Sequence, residues 1–217
     1  AMRAIAHSGQ DVSPSGRLPE SLPWSNVVKN WLGPLDVGVD LEDMSAVDWW
    51  ELDYDTPSLM VRAGFGRVVA DLGAEIPVQT NTPVTRIRWG GAEGVEVETP
   101  RGTIRAKRCI VTVSTGVLAS ESIRFDPALP VHTQRAIDDL PMGLLAKVAL
   151  QFKDCRCFGL RNDEWLSYTT DTRELTYFLS RPFEQNLLIG FVGGRFAWDL
   201  TAAGEGAAVD FALGEVG

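Results

Sequence analysis

The residue of this chain best placed to do chemistry is a lysine set in an alternating apolar run. Within Leu145 to Phe152, Ala146, Val148, Leu150 and Phe152 fall on one face of an extended strand, and Leu145, Lys147, Ala149 and Gln151 on the other. A lysine flanked on its own face by leucine and alanine is expected to be partly desolvated, and burial disfavours its charged form. Such a group suits holding a water and exchanging protons beside a reacting centre. The same pattern describes a lysine whose stem crosses a sheet face while its head reaches water or a carboxylate. Period alone leaves both readings open.

Other constellations carry less. Gly64-Phe65-Gly66-Arg67-Val68-Val69 opens a helix but has two of the three glycines of G-x-G-x-x-G, a weak cradle for pyrophosphate. No G-x-S-x-G elbow is present, and neither His7 nor His132 sits in a hydrolase motif. Glu42-Asp43 has no carboxylate partner at a telling spacing, and Asp138-Asp139 reads as a solvated helix face. With two histidines and three cysteines there is no zinc spacing and no disulfide framework. Cys155-Arg156-Cys157 could bind a soft metal or switch redox state, but reads as two thiols in a loop.

The elements that must position these residues change character along the chain. Residues 1–18 are polar, with Gly, Ser and Pro and no apolar period, and are expected to be loose; Ala1-Met2 reads as a cloning remnant and a start codon. Trp24, Val27, Val28, Trp31 and Leu32, then Val47 and Trp50, recur at helical spacing, predicting two short helices separated by a Gly33-Pro34 break. Ser45 with Asp48 makes a variant capping box for the second. Trp24, Trp31, Trp49 and Trp50 could line a cavity, although aromatics at this spacing read first as core. Gly64 to Leu72 predicts a helix stopped by Gly73.

Beyond it the period becomes two. Val84–Trp89, Val95–Thr99 and Thr103–Ala106, joined by Gly-rich turns, predict a three-stranded meander, and Cys109–Val113 a strand buried on both faces. An extended stretch through Pro127 and Pro130 leads to a helix over Thr133–Leu140. Strands are predicted at Leu145–Phe152, Trp165–Thr170, Leu175–Ser180 and Leu187–Val192, then a helix over Gly206–Leu213. This order gives an α+β chain.

With 217 residues and 45% hydrophobic composition, the chain can bury a sizeable core. A net charge of −9 with interspersed signs disfavours a nucleic-acid partner. No apolar run approaches a membrane span and no signal peptide is apparent, so a cytoplasmic protein with no membrane partner is expected.

The run Gly116-Val117-Leu118, Ile123, Phe125, Pro127, Leu129-Pro130, Ala136-Ile137, Met142-Gly143 and Lys147, with Thr82-Pro83-Val84-Thr85-Arg86-Ile87 and Gly64-Phe65-Gly66 upstream, resembles the flavin-containing amine oxidases. The resemblance spans Asp43 to the last residue. It implies an internal piece of an FAD enzyme, without the N-terminal G-x-G-x-x-G and C-terminal flavin segments. Residues 1–55 would be substrate-domain helices, 56–118 part of a discontinuous FAD-binding domain comprising helix, meander and strand, and 119–217 a mixed-sheet substrate domain.

The resemblance implies oxidation of an amine C–N bond with dioxygen as acceptor, followed by imine hydrolysis and release of hydrogen peroxide. Lys147 would hold the water beside the flavin. The main chain of Val84 would meet the adenine, and Thr112 and Ser114 would lie beside the cofactor, Ser114-Thr115-Gly116 replacing the Pro-Leu-Gly often found. A small-molecule amine is the implied partner. FAD is expected to bind weakly or not at all to the isolated chain, which is expected to self-associate through exposed sheet surface. Two alternatives are a non-catalytic substrate-binding or truncated module, and a related flavoprotein acting on a non-amine substrate.

Overall fold

The computed structural model describes residues 2–52, 59–92, 94–154, 159–168, 174 and 176–216. Cys155-Arg156-Cys157, the Thr169-Thr170 end of the strand expected from Trp165, and Leu175 therefore lie outside the described residues. The chain divides into two compact units, Ala1–Arg62 with Gly143–Gly217, and Ala63–Met142. Residues 119–142, grouped above with the C-terminal flank, cluster with the meander.

The split unit is built on an antiparallel sheet of β5 (Leu145–Gln151), β6 (Glu164–Leu166), β7 (Tyr177–Ser180) and β8 (Leu187–Gly193), in the order β5-β8-β7-β6. Register follows the alternation read from sequence: Val148 opposes Gly190, which opposes Phe178, while Lys147 opposes Phe191, which opposes Tyr177. The first face is covered by helices α7 (Gly194–Ala203) and α8 (Glu205–Val216), whose Ala197, Leu200 and Ala212 pack on Val148, Leu150, Leu188 and Val192. Leu188 and Val192 are 2% and 1% exposed. Burial of each such side chain is worth about 1.5–3 kcal/mol over exposure.

Before the sheet come α1 (Met2–Ala6), α2 (Ser25–Asn30), a π turn (Trp31–Leu35), a 3₁₀ turn (Leu41–Asp43) and α3 (Ala46–Leu52). Two expectations are corrected here. Residues 2–18 are not loose: Met2, Ile5 and Leu18 are buried with Leu41, Met44 and Ala46, so three well-spaced apolar residues suffice to anchor a polar segment. Gly33-Pro34 does not break the helix. Pro34 has no N–H to give, and the backbone widens locally, with Asp36 N–H donating to the Trp31 carbonyl and Val37 N–H to that of Gly33. The Ser45 cap forms, its Oγ accepting from Asp48 N–H at 2.9 Å and donating to Asp11.

The π turn meets the end of β8 through bare backbone. A Cβ built on Gly193 would lie 1.8 Å from the Pro34 carbonyl oxygen, and one on Gly143 2.6 Å from that of Val37. Only glycine fits either place.

The second unit holds α4 (Phe65–Leu72), the meander β1 (Arg86–Gly91), β2 (Gly94–Thr99) and β3 (Gly102–Ala106), then α5 (Thr115–Ala119), β4 (Arg124–Asp126) and α6 (Val131–Asp138). The meander is as expected, and β4 adds a parallel fourth strand to β1, giving the order β3-β2-β1-β4. The strand expected at Cys109–Val113 is absent. That segment is irregular and exposed, Ile110 at 87%, because no described strand pairs with it; apolar composition on both faces calls for partners and cover that the described residues do not provide. Ile87 is the one buried residue among the described residues of this unit.

What the meander has instead is a charged face. Arg88 pairs with Glu98 at 2.6 Å and Glu96 at 3.4 Å, and Arg105 with Glu96 at 2.8 Å. Arg105 first, then Arg88, hold the Glu96 carboxyl below its ordinary value of 4.5. A carboxyl lowered on folding stabilises above its unfolded pKa, and that contribution is lost as pH falls through the folded value. Acidification below about 4.5 is therefore expected to raise the open fraction of β2 and β3, read as lowered amide protection relative to the intrinsic exchange rate at each pH. The acid-induced increment should be smaller in Glu96→Gln; an identical acid response in that variant would contradict the assignment.

Candidate functional site

The site is built on the sheet face that α7 and α8 leave free. Lys147 lies on it as the alternation required, but it is exposed, not partly desolvated, because its same-face neighbours Leu145 and Ala149 are themselves uncovered. Its Nζ stands 5.3 Å from the ring centroid of Phe191, directly across the ladder, in a cation–π contact.

From Phe191 a chain of rings continues over the same face. Trp165 lies 5.0 Å from Phe191, Trp31 of the π turn 6.1 Å from Trp165, and Tyr177 5.3 Å from Trp31. Trp31, Trp165 and Tyr177 wall a cavity of about 210 Å³, with Val27, Val28 and Ser167 among its other lining residues. Tyr177 is 1% exposed and its hydroxyl donates to the Val27 carbonyl; burial pushes its pKa upward, so it stays neutral. A second cavity of about 420 Å³ is lined by Trp24, Trp49, Trp50 and Leu22 among others. The tryptophans read first as core are thus cavity walls, with Trp24 and Trp31 half exposed.

Sequence reading missed Trp165, Tyr177 and Phe191. Each sits in a run correctly expected to be a strand, but only the pairing of distant strands sets Phe191 beside Lys147 and joins Trp165 and Tyr177 to the same face.

The other expected site residues lie in the meander unit. Val84 precedes β1, which starts two residues later than expected; the neighbouring Thr85 bonds Glu98 and Arg124 through its N–H and C=O. Neither the N–H nor the C=O of Val84 has a hydrogen-bond partner among the described residues. Thr112 is exposed in irregular chain, and Ser114 caps α5, its Oγ accepting from Val117 N–H at 3.3 Å. Val84, Thr112 and Ser114 thus belong to one unit and Lys147 to the other. Among the described residues no cluster could hold a metal ion, and no helix is long and apolar enough to cross a membrane.

The family model for flavin containing amine oxidoreductase matches residues 24–217. The chain belongs to the flavin-containing amine oxidoreductase family. Among curated members, Polyamine oxidase 2 of Arabidopsis thaliana is 32% identical over 182 residues, covering 80% of this chain and 36% of that protein. Lysine-specific histone demethylase 1 homolog 2 of the same plant is 36% identical over 118 residues, 52% of this chain and 15% of that one. The chain thus spans about a third or less of these amine oxidoreductases.

A putrescine oxidase double mutant redesigned for cofactor binding superposes with a TM-score of 0.68 at 16% identity, over 92% of this chain and 47% of that one. Cyclohexylamine oxidase from Brevibacterium oxydans does so with a TM-score of 0.61 at 24% identity, over 89% and 45%. These likenesses support the mixed α and β fold with two sheets.

Proposed function

We propose that this chain serves FAD-dependent oxidation of an amine C–N bond with dioxygen as acceptor, Lys147 being its catalytic residue and residues 1–55 with most of 119–217 lying in the substrate-handling part. The observation that carries the reading is Lys147 exposed on the sheet face opposite α7 and α8, at the end of a chain of rings that leads through Phe191 to an aromatic cavity, in a family whose members are amine oxidoreductases. Bound FAD would supply the two-electron acceptor.

The residues present fit one end of that group. The open N–H and C=O of Val84 offer a donor and an acceptor on one strand edge, as an adenine edge requires, and Thr112 and Ser114 lie downstream in the same unit. Lys147 carries three N–H donors on a flexible stem, so Nζ can hold a water and give or take its proton. Phe191 beside it, and the rings beyond Phe191, offer apolar faces to an amine. The pyrophosphate end has no G-x-G-x-x-G here.

The purified 217-residue chain, incubated with excess FAD and passed through gel filtration, is therefore expected to emerge without a flavin absorption band; stoichiometric flavin would contradict this. Exposed Phe65, Leu72 and Ile110 favour self-association, so elution ahead of the monomer position is expected in the same run. The function itself is tested by amine-dependent peroxide release from a flavin-loaded polypeptide containing this chain. Peroxide rising with an amine is the expected result, and none across mono-, di- and polyamines would reject the reading.

A further inference from the structure

We propose that the aromatic cleft walled by Trp31, Trp165 and Tyr177, one ring removed from Lys147 through Phe191, selects an amine with a single basic nitrogen and an aryl or similarly bulky apolar substituent, and disfavours diamines and polyamines. This deepens the amine-oxidation reading and rests on it for the identity of the site.

Three observations converge. The first is size: about 210 Å³ is more than the roughly 150 Å³ in which a dry engineered cavity holds benzene, so a phenyl ring with a short alkyl stem fits. The second is the wall. Among the described residues no aspartate or glutamate lines the cleft, the Tyr177 hydroxyl is committed to the Val27 carbonyl, and Ser167 is the one other polar side chain lining it. Glu164, the nearest carboxylate in sequence to Trp165, belongs to the opposite face of β6 by the strand alternation and is engaged by Arg161 at 2.5 Å.

The third is charge. A diamine that left one nitrogen at the cleft mouth would carry its second ammonium into this wall, where it would lose water without meeting a carboxylate of the described residues. Aromatic faces attract cations, but the ring nearest the lysine already carries one: Lys147 Nζ over Phe191. Lys147 Nζ offers donors and no acceptor, so it adds no partner for a further ammonium there. Across the paired positions Lys147, Ala149, Ile189, Phe191, Tyr177, Leu179 and Trp165, no acidic residue occurs. The described residues of the cleft thus offer a site for an apolar group and none for a second positive charge.

The test is a tryptophan-fluorescence titration of the 217-residue chain, without flavin, with 4-phenylbutylamine and with 1,4-diaminobutane, which share a four-carbon stem. The phenyl compound is expected to bind at least tenfold more tightly, and Trp165→Ala to weaken it about tenfold, while Trp24→Ala, in the other cavity, leaves it unchanged. Trp165 is 49% exposed and Trp24 54%, so both variants are expected to fold. Val28→Asp, at a 46% exposed wall position, adds the missing carboxylate and is expected to shift preference at least tenfold toward the diamine. Equal or tighter diamine binding, no saturable binding of the phenyl compound, or indifference to both Trp165→Ala and Val28→Asp would overturn the proposal. Because no flavin is present, these results stand apart from success or failure in producing peroxide.

Discussion

Replacing Gly193 by alanine is expected to destabilise the split unit by about 3 kcal/mol, the upper end of typical overpacking costs. The added Cβ would lie 1.8 Å from the Pro34 carbonyl oxygen and 2.2 Å from its carbon, both backbone atoms that no rotamer change can move. Relief requires the π turn to leave the end of β8, and Trp31 sits on that turn, so the aromatic wall is displaced with it. Gly214→Ala is the matched control: no atom lies within 4 Å of its built Cβ, and in helix α8 alanine is expected to stabilise by about 0.5–1 kcal/mol. Urea unfolding followed by tryptophan fluorescence reads both. A Gly193→Ala midpoint at or above the wild-type value would show that the close approach of turn and strand is wrong.

Lys147→Met is expected to lower the turnover of a flavin-loaded polypeptide containing this chain by about 100-fold, the low end of what positioned proton transfer contributes. Methionine keeps the length of the stem and removes every donor from Nζ, so a held water loses its anchor. Stability should change by no more than about 1 kcal/mol, since the lysine is exposed and its contact with Phe191 is of that size or less. The expected signature is a fall in kcat with KM changed only a few-fold, which separates a role in the reaction from one in binding. Lys147→Arg keeps the charge but exchanges a compact head for a planar fork, and should recover only part of the rate. Undiminished kcat in Lys147→Met would remove this residue from the chemistry.

Much of the split unit's sheet was legible because its inner face is covered and the signal is local: Val148 and Leu150, Leu188 and Val192 alternate with uncovered neighbours, and both strands appear where the alternation puts them. The meander was legible for the same reason of period, aided by glycine turns at Gly90-Gly91 and Gly102. What failed depended on partners distant in sequence. Ile110 and Val111 have the composition of a buried strand, yet burial is a property of neighbours, and none pairs with them among the described residues. Met2, Ile5 and Leu18 show no period, yet they are drawn into a core by Leu41, Met44 and Ala46. Pro34 signalled a break that a widened turn absorbs.

The candidate site divides in the same way. The face on which Lys147 lies follows from counting by two. Its exposure does not, because the composition of a strand says nothing about whether a helix covers it, and α7, a helix the sequence reading did not include, covers the opposite face. The ring chain from Phe191 to Trp31 joins residues far apart in the chain, through a register that no local pattern encodes.

The most direct test of amine oxidation is anaerobic mixing of the flavin-loaded polypeptide with 4-phenylbutylamine while the visible flavin band is followed. Loss of the band with amine, and its return on admitting dioxygen, is the result expected if this chain helps deliver an amine to a flavin. A band unchanged by 4-phenylbutylamine, 1,4-diaminobutane and longer polyamines alike would contradict it.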